Sequence, residues 1–423
     1  MKIAFIGHKR VPSREGGIEI VVEELSTRMA RLGHEVVLYN RRGHNVAGKQ
    51  YDNAANRNVK DFFYKNVRIT SVPTIEMKGM AALSSSFFAT VKAIAARPDV
   101  IHYHAEGPCV MLRLAHWAGI RTVATIHGLD WKRAKWGRFA SSYLKFGERT
   151  AATCADEVIV LSRNVQQYFK DTYGRETHFI PNGIEHAEIS SVVGDGTVSG
   201  SDTPSVSILD AHGLQREGYV LFLGRIVPEK GVHYLIEAFK GIDTDKNLVI
   251  AGGSSDSSDY YESIRHTAAE DPRIVLTGFV EGHDLQELYG NAYVYVLPSD
   301  LEGMPMSLLE AMSYGNCCLV SDIPECAEVV GDHAATFKHG DVDDLRKQLR
   351  MLLDDTGVTR RYRSGAAEYI TQRYSWDAVV AQTLALYEGA LSHGTDSKPV
   401  GESESRNAAS VLNAANTSMQ GGR

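Results

Sequence analysis

Short apolar runs alternate along this chain with amphipathic stretches of helical period. Residues 2–6 form an apolar run closed by Gly7, the pattern of a buried strand. Val22, Leu25, Met29 and Leu32 then recur at helical spacing, and Gly33 supplies a stop. Residues 36–39 are the next apolar run. This β–α–β opening predicts a parallel sheet with helices on its faces. The polar stretch 41–66 predicts a long loop. Further strands are predicted at 67–72, 99–103, 121–126, 157–161 and 179–180. Helices are predicted at 83–96, 110–118 and 139–154, and from a Ser162 cap to residue 168. Pro181, Asn182 and Gly183 read as a turn.

The alternation then pauses and restarts. Residues 193–207 are rich in Gly, Ser, Asp and Thr, a linker composition. Strands follow at 219–223, 248–251, 274–276, 293–297 and 317–320, with helices between them. Two helices are predicted at 345–353 and 359–370. A last amphipathic helix at 375–391 puts Trp376, Val379, Val380, Leu384 and Tyr387 on one face. Beyond Ser392 the large apolar residues give out, which predicts disorder. The fold class is α/β with two doubly wound domains, 1–183 and 218–372. A linker at 184–217 joins them, and a helix at 373–392 and a tail at 393–423 follow.

Composition narrows the function. A chain of 423 residues can bury two cores. A formal net charge of −7 argues against a nucleic-acid partner. Cys109, Cys154, Cys317, Cys318 and Cys326 lack metal-type spacing, and four of them lie in apolar surroundings, as reduced core thiols do. The apolar run in MKIAFIGHKR is too short for a signal peptide, and no stretch approaches a membrane span. A cytoplasmic protein is expected. The first crossover lacks G-x-G-x-x-G, which disfavours a dinucleotide.

The candidate chemistry lies at strand ends. Residues 297–322 run strand, loop, helix, strand, with Glu302 in the loop and Glu310 on the helix. In open α/β sheets that crevice takes the ligand, and the helix start offers free N–H groups to an anion. Arg225 and Lys230 follow an earlier strand of the same domain. The first domain offers Gly16-Gly17 and His127-Gly128. If two such sheets face each other, these groups converge. Two cations and helix N-termini suit a diphosphate, and two carboxylates suit sugar or ribose hydroxyls. His102 and His104 lack partners at ligand spacing, so no metal site is expected. The segment 131–149 carries Lys132, Arg133, Lys135, Arg138, Lys145 and Arg149 among Trp131, Trp136, Phe139 and Tyr143. It reads as a solvated helix face with core aromatics, or as a contact with an anionic membrane surface.

Glu302-x₇-Glu310, Gly224-Arg225 with Lys230-Gly231, and Gly16-Gly17 together resemble the retaining glycosyltransferases of family 4, which have the GT-B fold. The likeness runs from Met1 to about residue 391. The wording SLLEAMSYGN and GGIE resembles bacterial members that build surface polysaccharides, of rhamnosyl- or galactosyltransferase type. The resemblance implies two Rossmann-like domains facing a central cleft, with the last helix crossing back to the first. It implies transfer of a hexose from a nucleotide diphosphate sugar, UDP by family habit, to a glycan or lipid-linked acceptor, without cofactor or metal. Arg225 and Lys230 would hold the diphosphate, and Glu310 the ribose. Glu302, with the backbone of Gly303, Met304, Pro305, Met306 and Ser307, would grip the sugar, and His127 would meet it from the other domain. Gly16 and Gly17 would approach the phosphates, and the backbone at Val280 the base. Pro305 departs from the glycine of many relatives and removes one N–H from the sugar-facing turn. The cleft would move about linkers near Gly183 and Ile370. A sugar-nucleotide 2-epimerase and a non-catalytic nucleotide-sugar-binding subunit are the alternatives.

Overall fold

Lys2–Ile6 (β1) is apolar on both faces because both faces are covered. Ile3 and Phe5 enter one core, and Ala4 and Ile6 the other. The computed structural model describes residues 1–42, 61–75, 77, 80–133, 137–187, 207–253 and 258–389. The first sheet also contains Glu35–Arg41 (β2), Asp61–Tyr64 (β3), Val67–Val72 (β4), Val100–His104 (β5), Arg121–Ile126 (β6), Glu157–Val160 (β7) and His178–Phe179 (β8). Their order is β3-β4-β2-β1-β5-β6-β7-β8, parallel except for β3. The chain reverses its direction of growth between β1 and β5, which places the ends of those strands at a topological switch point.

β3 corrects the loop expected at 41–66, of which residues 43–60 lie outside the described residues. Its turn, Lys65-Asn66, has φ of 48° and 65°, as a two-residue hairpin requires. Lys-Asn is not among the common signals for that turn, so the sequence pattern missed it. The helix expected at 110–118 is shorter, Leu112–Trp117, and a further short helix, Glu106–Cys109, precedes it. The helix from Ser162 is longer than expected, Arg163–Tyr173, and Ser162 Oγ accepts from the Val165 N–H as predicted.

The second sheet contains Tyr219–Leu223 (β9), Asn247–Ala251 (β10), Ile274–Gly278 (β11), Val294–Leu297 (β12), Cys317–Ser321 (β13) and Ala335–Phe337 (β14). It is all parallel, in the order β11-β10-β9-β12-β13-β14, and its switch point lies between β9 and β12. β14 was not expected, since three residues carry too little pattern. The five cysteines are unpaired thiols, and all but the half-buried Cys154 are buried. Residues 188–206 and 390–423 lie outside the described residues, so much of the expected linker and all of the expected tail fall there. Ser207 caps a helical turn, Ile208–Ala211, that docks on the second domain. Its hydroxyl donates to Glu287 Oε1 at 2.6 Å. The helix expected at 359–370 is two, Thr356–Arg363 and Ala366–Arg373, broken where Gly365 takes φ 82°.

The last helix, Trp376–Tyr387, crosses back onto Gly17–Arg31 of the first domain. Arg28 holds the crossing. Its guanidinium bonds Glu24 one turn back, Asp377 on the returning helix at 3.0 Å, and Glu185 on the segment that leaves the first domain. Ile184 and Ser375 form a bridge beside it. Tyr387 OH reaches His102 Nδ1 at 2.6 Å, both groups buried. Tyr387→Phe would leave that nitrogen without a partner. We expect a loss of about 1–3 kcal/mol, read as a lower unfolding midpoint. An unchanged midpoint would show that the contact does not anchor the helix.

Candidate active site at the cleft

The two switch points face each other across the cleft. Arg225 follows β9 and Glu302 follows β12, while His8 follows β1 and His104 ends β5. The walls touch at glycines. An ideal Cβ on Gly303 would lie 1.5 Å from the carbonyl oxygen of His127, and one on Gly128 would lie 3.2 Å from Gly303 Cα. Only glycine permits this approach. Gly17 is looser, since its Cβ would meet Met306 Cγ at 3.5 Å. Gly16 caps the first helix, and Glu19 beneath it accepts the Lys9 N–H at 2.8 Å, which folds the intervening loop back.

On the second wall Lys230 Nζ lies 2.6 Å from Glu302 Oε1, and Ser299 Oγ donates to the same oxygen at 2.6 Å. Lys230 ends the short turn Pro228–Lys230, and Gly231 leaves it with φ 64°. Arg225 is half-buried, and its guanidinium has no hydrogen-bond or ion-pair partner among the described residues. Burial and the nearby Arg133 cation depress its pKa, against the pull of Glu229, Asp130 and Glu19. Glu310 is half-buried on Met306–Ser313 and accepts from Tyr289 OH at 3.1 Å. Burial raises its pKa, and Arg14 of the opposite domain and Tyr289 hold it back. Pro305 is the N-cap of that helix, with φ −74°, and Met304 and Met306 are buried. Ser307 Oγ accepts from Tyr295 OH at 2.8 Å. Val280 is half-buried against the core.

Several groups here were not singled out from the sequence. Asn182 grips the loop after Glu302, its N–H on Met304 Sδ at 3.0 Å and its amide on Met304 O at 3.2 Å. Arg133, which the sequence places in the basic segment 131–149, turns into the cleft. Its Nε lies 2.9 Å from Asp130, and its NH1 reaches Glu229 of the second domain at 3.5 Å. Asp130 stands three residues beyond His127, a proximity that could have flagged it. Arg133 was masked by the cations around it. The rest of that segment divides. Trp131 Nε1 donates to the buried Glu148 at 2.9 Å, and Lys145 lies over the Trp131 ring at 3.9 Å. Phe139 and Phe146 are exposed, and Lys135 and Trp136 lie outside the described residues.

Behind His127 lies a histidine cluster. His104 Nδ1 is 2.9 Å from His127 Nε2, and the His102 and His104 ring centroids are 4.2 Å apart. Burial pushes His8 and His127 down to about 4 and His102 to about 3, and lowers His104 strongly. The cluster is neutral, held by Thr125, Asn40 and Tyr387. Depressed histidines stabilise the fold above their unfolded pKa near 6.5, and that contribution is lost as pH falls toward 4. Glu106 (raised to about 10), Glu310 and Glu328 act with the opposite sign. They are three against these four histidines together with His34 and His233, also lowered by burial. The urea midpoint is therefore expected to fall on acidification from about pH 6.5 to about pH 5. A midpoint that rises over that range would contradict a neutral cluster.

Comparison with known proteins agrees with this fold. Residues 15–188 match the model of the Glycosyltransferase Family 4, and residues 208–369 that of the Glycosyl transferases group 1. The chain is 26% identical to an uncharacterized glycosyltransferase of Methanocaldococcus jannaschii, over 92% of this chain and 99% of that protein. It is 28% identical to the UDP-Gal:alpha-D-GlcNAc-diphosphoundecaprenol alpha-1,3-galactosyltransferase of Escherichia coli, over 62% of this chain and 68% of that one. The structure of HepE from Anabaena, in complex with UDP and glucose, superposes with a TM-score of 0.72 at 17% identity, over 92% of this chain and all of that one. The fold is that of the GT-B glycosyltransferases, and the chain carries a Glycosyltransferase Family 4 domain followed by a group 1 glycosyl transferase domain.

Proposed function

We propose that this protein moves a hexosyl group from a nucleotide diphosphate sugar, with UDP as the base carrier, to a glycan or lipid-linked acceptor of surface polysaccharide synthesis, with retention of configuration. One observation carries the reading. Arg225, Lys230, Glu302 and Glu310 stand on one cleft wall, at the switch point of its sheet, with His127 opposite. Arg225 and Lys230 hold the diphosphate, and Lys230 is then shared between phosphate and Glu302. Glu310 accepts from the ribose hydroxyls. Glu302 and the turn from Gly303 to Ser307 grip the sugar, whose far side meets His127. Gly16 and Gly17 let the first-domain loop close over the phosphates, and the backbone at Val280 meets the base.

The bond from the anomeric carbon to the phosphate oxygen breaks as the acceptor oxygen bonds to that carbon on the same face. The acceptor's proton passes to the departing phosphate. Negative charge grows on that phosphate at the transition state, and the two cations stabilise it there without a cofactor or a metal. The M. jannaschii relative and the E. coli galactosyltransferase support the transfer, and the printed acceptor of the latter supports a lipid-linked one. No helix among the described residues is long and apolar enough to cross a membrane. A cytoplasmic enzyme meeting the inner face of the membrane through 131–149 fits the exposed Phe139, Phe146, Arg138, Lys145 and Arg149.

Lys230→Ala is expected to lower kcat/KM with a UDP-sugar by about 10²–10³-fold while the protein stays folded. Near-normal turnover would refute the site. Incubating donor alone separates an epimerase, which would change the sugar, from a transferase. Phe139→Ser with Arg138→Gln and Arg149→Gln is expected to reduce co-sedimentation with anionic vesicles. Unchanged sedimentation would remove the membrane contact.

A further inference from the structure

The helix Met80–Ala96 is built with its polarity reversed. Its inner face carries Ser84, Ser85, Ser86, Ala89, Thr90 and Ala93, all buried. Its outer face carries Phe87, Phe88 and Val91, which are between 38% and 47% exposed. A helix between a sheet and water ordinarily turns its apolar stripe inward. The hydroxyls tolerate burial because each is bonded. Ser84 donates to Met80 O at 2.8 Å, Ser85 and Ser86 to Ala82 O at 3.1 and 2.7 Å, and Thr90 pairs with Tyr103 OH at 3.1 Å. The rings of Phe87 and Phe88 pack on each other, with centroids 5.5 Å apart, and face outward.

The same outward apolar character continues across the helical layer. Lys92 Nζ lies 3.7 Å from Asp61 of β3, and alternation puts the exposed Phe63 on the same face of that strand. On its other side Met80–Ala96 touches Leu112–Trp117, and Arg113 lies over the Phe146 ring of the helix Arg138–Cys154 at 5.2 Å. Trp117 is 75% exposed and Phe139 88%. Among the described residues, every exposed large apolar side chain except Leu32, Phe279 and Met351 belongs to these three helices, to β3, or to the segment leading into Met80. A concentration of that kind marks an interaction surface.

Charge identifies what covers it. Met80–Ala96 and Leu112–Trp117 contain no Asp or Glu, and the one carboxylate of Arg138–Cys154 is the buried Glu148. Lys92, Arg113, Arg138, Lys145 and Arg149 remain, on a chain whose net charge is −7. A second copy docked through the same patch would set these cations against themselves. An anionic bilayer supplies acyl chains for the rings and phosphates for the cations.

We propose that the outer face of Met80–Ala96 is the centre of a membrane-inserting platform, flanked by Leu112–Trp117 and Arg138–Cys154, and that its occupant is an anionic lipid bilayer. This rests on the lipid-linked acceptor of the proposed function and deepens it. The contact is a whole helical layer, of which 131–149 is one edge, and the acceptor arrives from the bilayer. The start of the helix meets the cleft side of the first domain, since Ser85 and Ser86 share a recess with His8, Tyr39 and Arg41. A carrier lipid in that bilayer presents its head group there.

The test compares the full chain with a Phe87→Ser, Phe88→Ser and Val91→Ser variant in co-sedimentation with vesicles of phosphatidylcholine and phosphatidylglycerol. Residues 131–149 stay unchanged in both. The variant is expected to bind about tenfold more weakly or worse, and the wild type to lose binding on vesicles of phosphatidylcholine alone. Phe88→Trp keeps an aromatic ring at the centre of the face. Its emission is expected to shift to the blue with anionic vesicles and to be quenched by brominated acyl chains. Wild-type sedimentation by the triple variant, equal binding to neutral vesicles, or Phe88→Trp emission that lipid leaves unchanged overturns the proposal. A dimer in solution that the triple variant dissociates also overturns it, because a second copy would then hold the face. The Phe88→Trp readout decides even if the triple variant fails to fold. None of these measurements needs sugar transfer, so failure of the platform is separable from failure of the functional reading.

Discussion

The cleft depends on a bare contact between two backbones. Gly303 meets the carbonyl of His127 at a distance that no side chain would allow, and Gly128 meets Gly303 from the other side. That approach sets Glu302 beside His127 and closes the crevice between two switch points. The contacts around it are small and polar. Arg133 reaches Glu229, Asn182 holds Met304, and Glu325 and Glu328 bond the start of the helix at Asn164 and Arg163. Polar interfaces of this kind part and re-form readily, as a cleft that admits a ligand must. The backbone crossings near Ile184 and Ser375, clamped by Arg28, are where such movement would pivot.

Electrostatics gives the cleft its preference. Arg225 and Arg133 approach each other in a partly desolvated place, and each carries a fixed charge. Burial and a like neighbour both disfavour the charged form of Arg225, and an anion between them relieves both penalties. Lys230 is balanced by Glu302 and Ser299 at hydrogen-bond distance. The wall therefore presents one underused cation beside one saturated pair. A diphosphate matches that better than a single phosphate, since it can engage Arg225 and share Lys230.

Much of this was legible in the sequence because it is periodic. β1 and β9 are short apolar runs buried on both faces, and their strand ends carry the residues that matter. Gly16, His127, Arg225, Lys230, Glu302 and Glu310 are candidates drawn from the segments that follow β1, β6, β9 and β12. What escaped has physical reasons. β3 needs a turn with two left-handed residues, which Lys65-Asn66 does not advertise. β14 is too short to show a period. Arg133 lies in a run of cations that reads as a surface, and only the fold shows that it faces Glu229. His8 and Asn40 are distant in sequence and meet only because β1 pairs with β2, as His104 and His127 meet because β5 pairs with β6.

On the proposed function, a nucleotide diphosphate sugar is held between these walls. A crystal structure with a UDP-sugar tests it most directly. The diphosphate is expected within hydrogen-bond distance of Arg225 and Lys230, the ribose on Glu310, and the sugar between Glu302 and His127. A ligand bound elsewhere, or bound here with Lys230 still held by Glu302 alone and Arg225 out of reach, would contradict it.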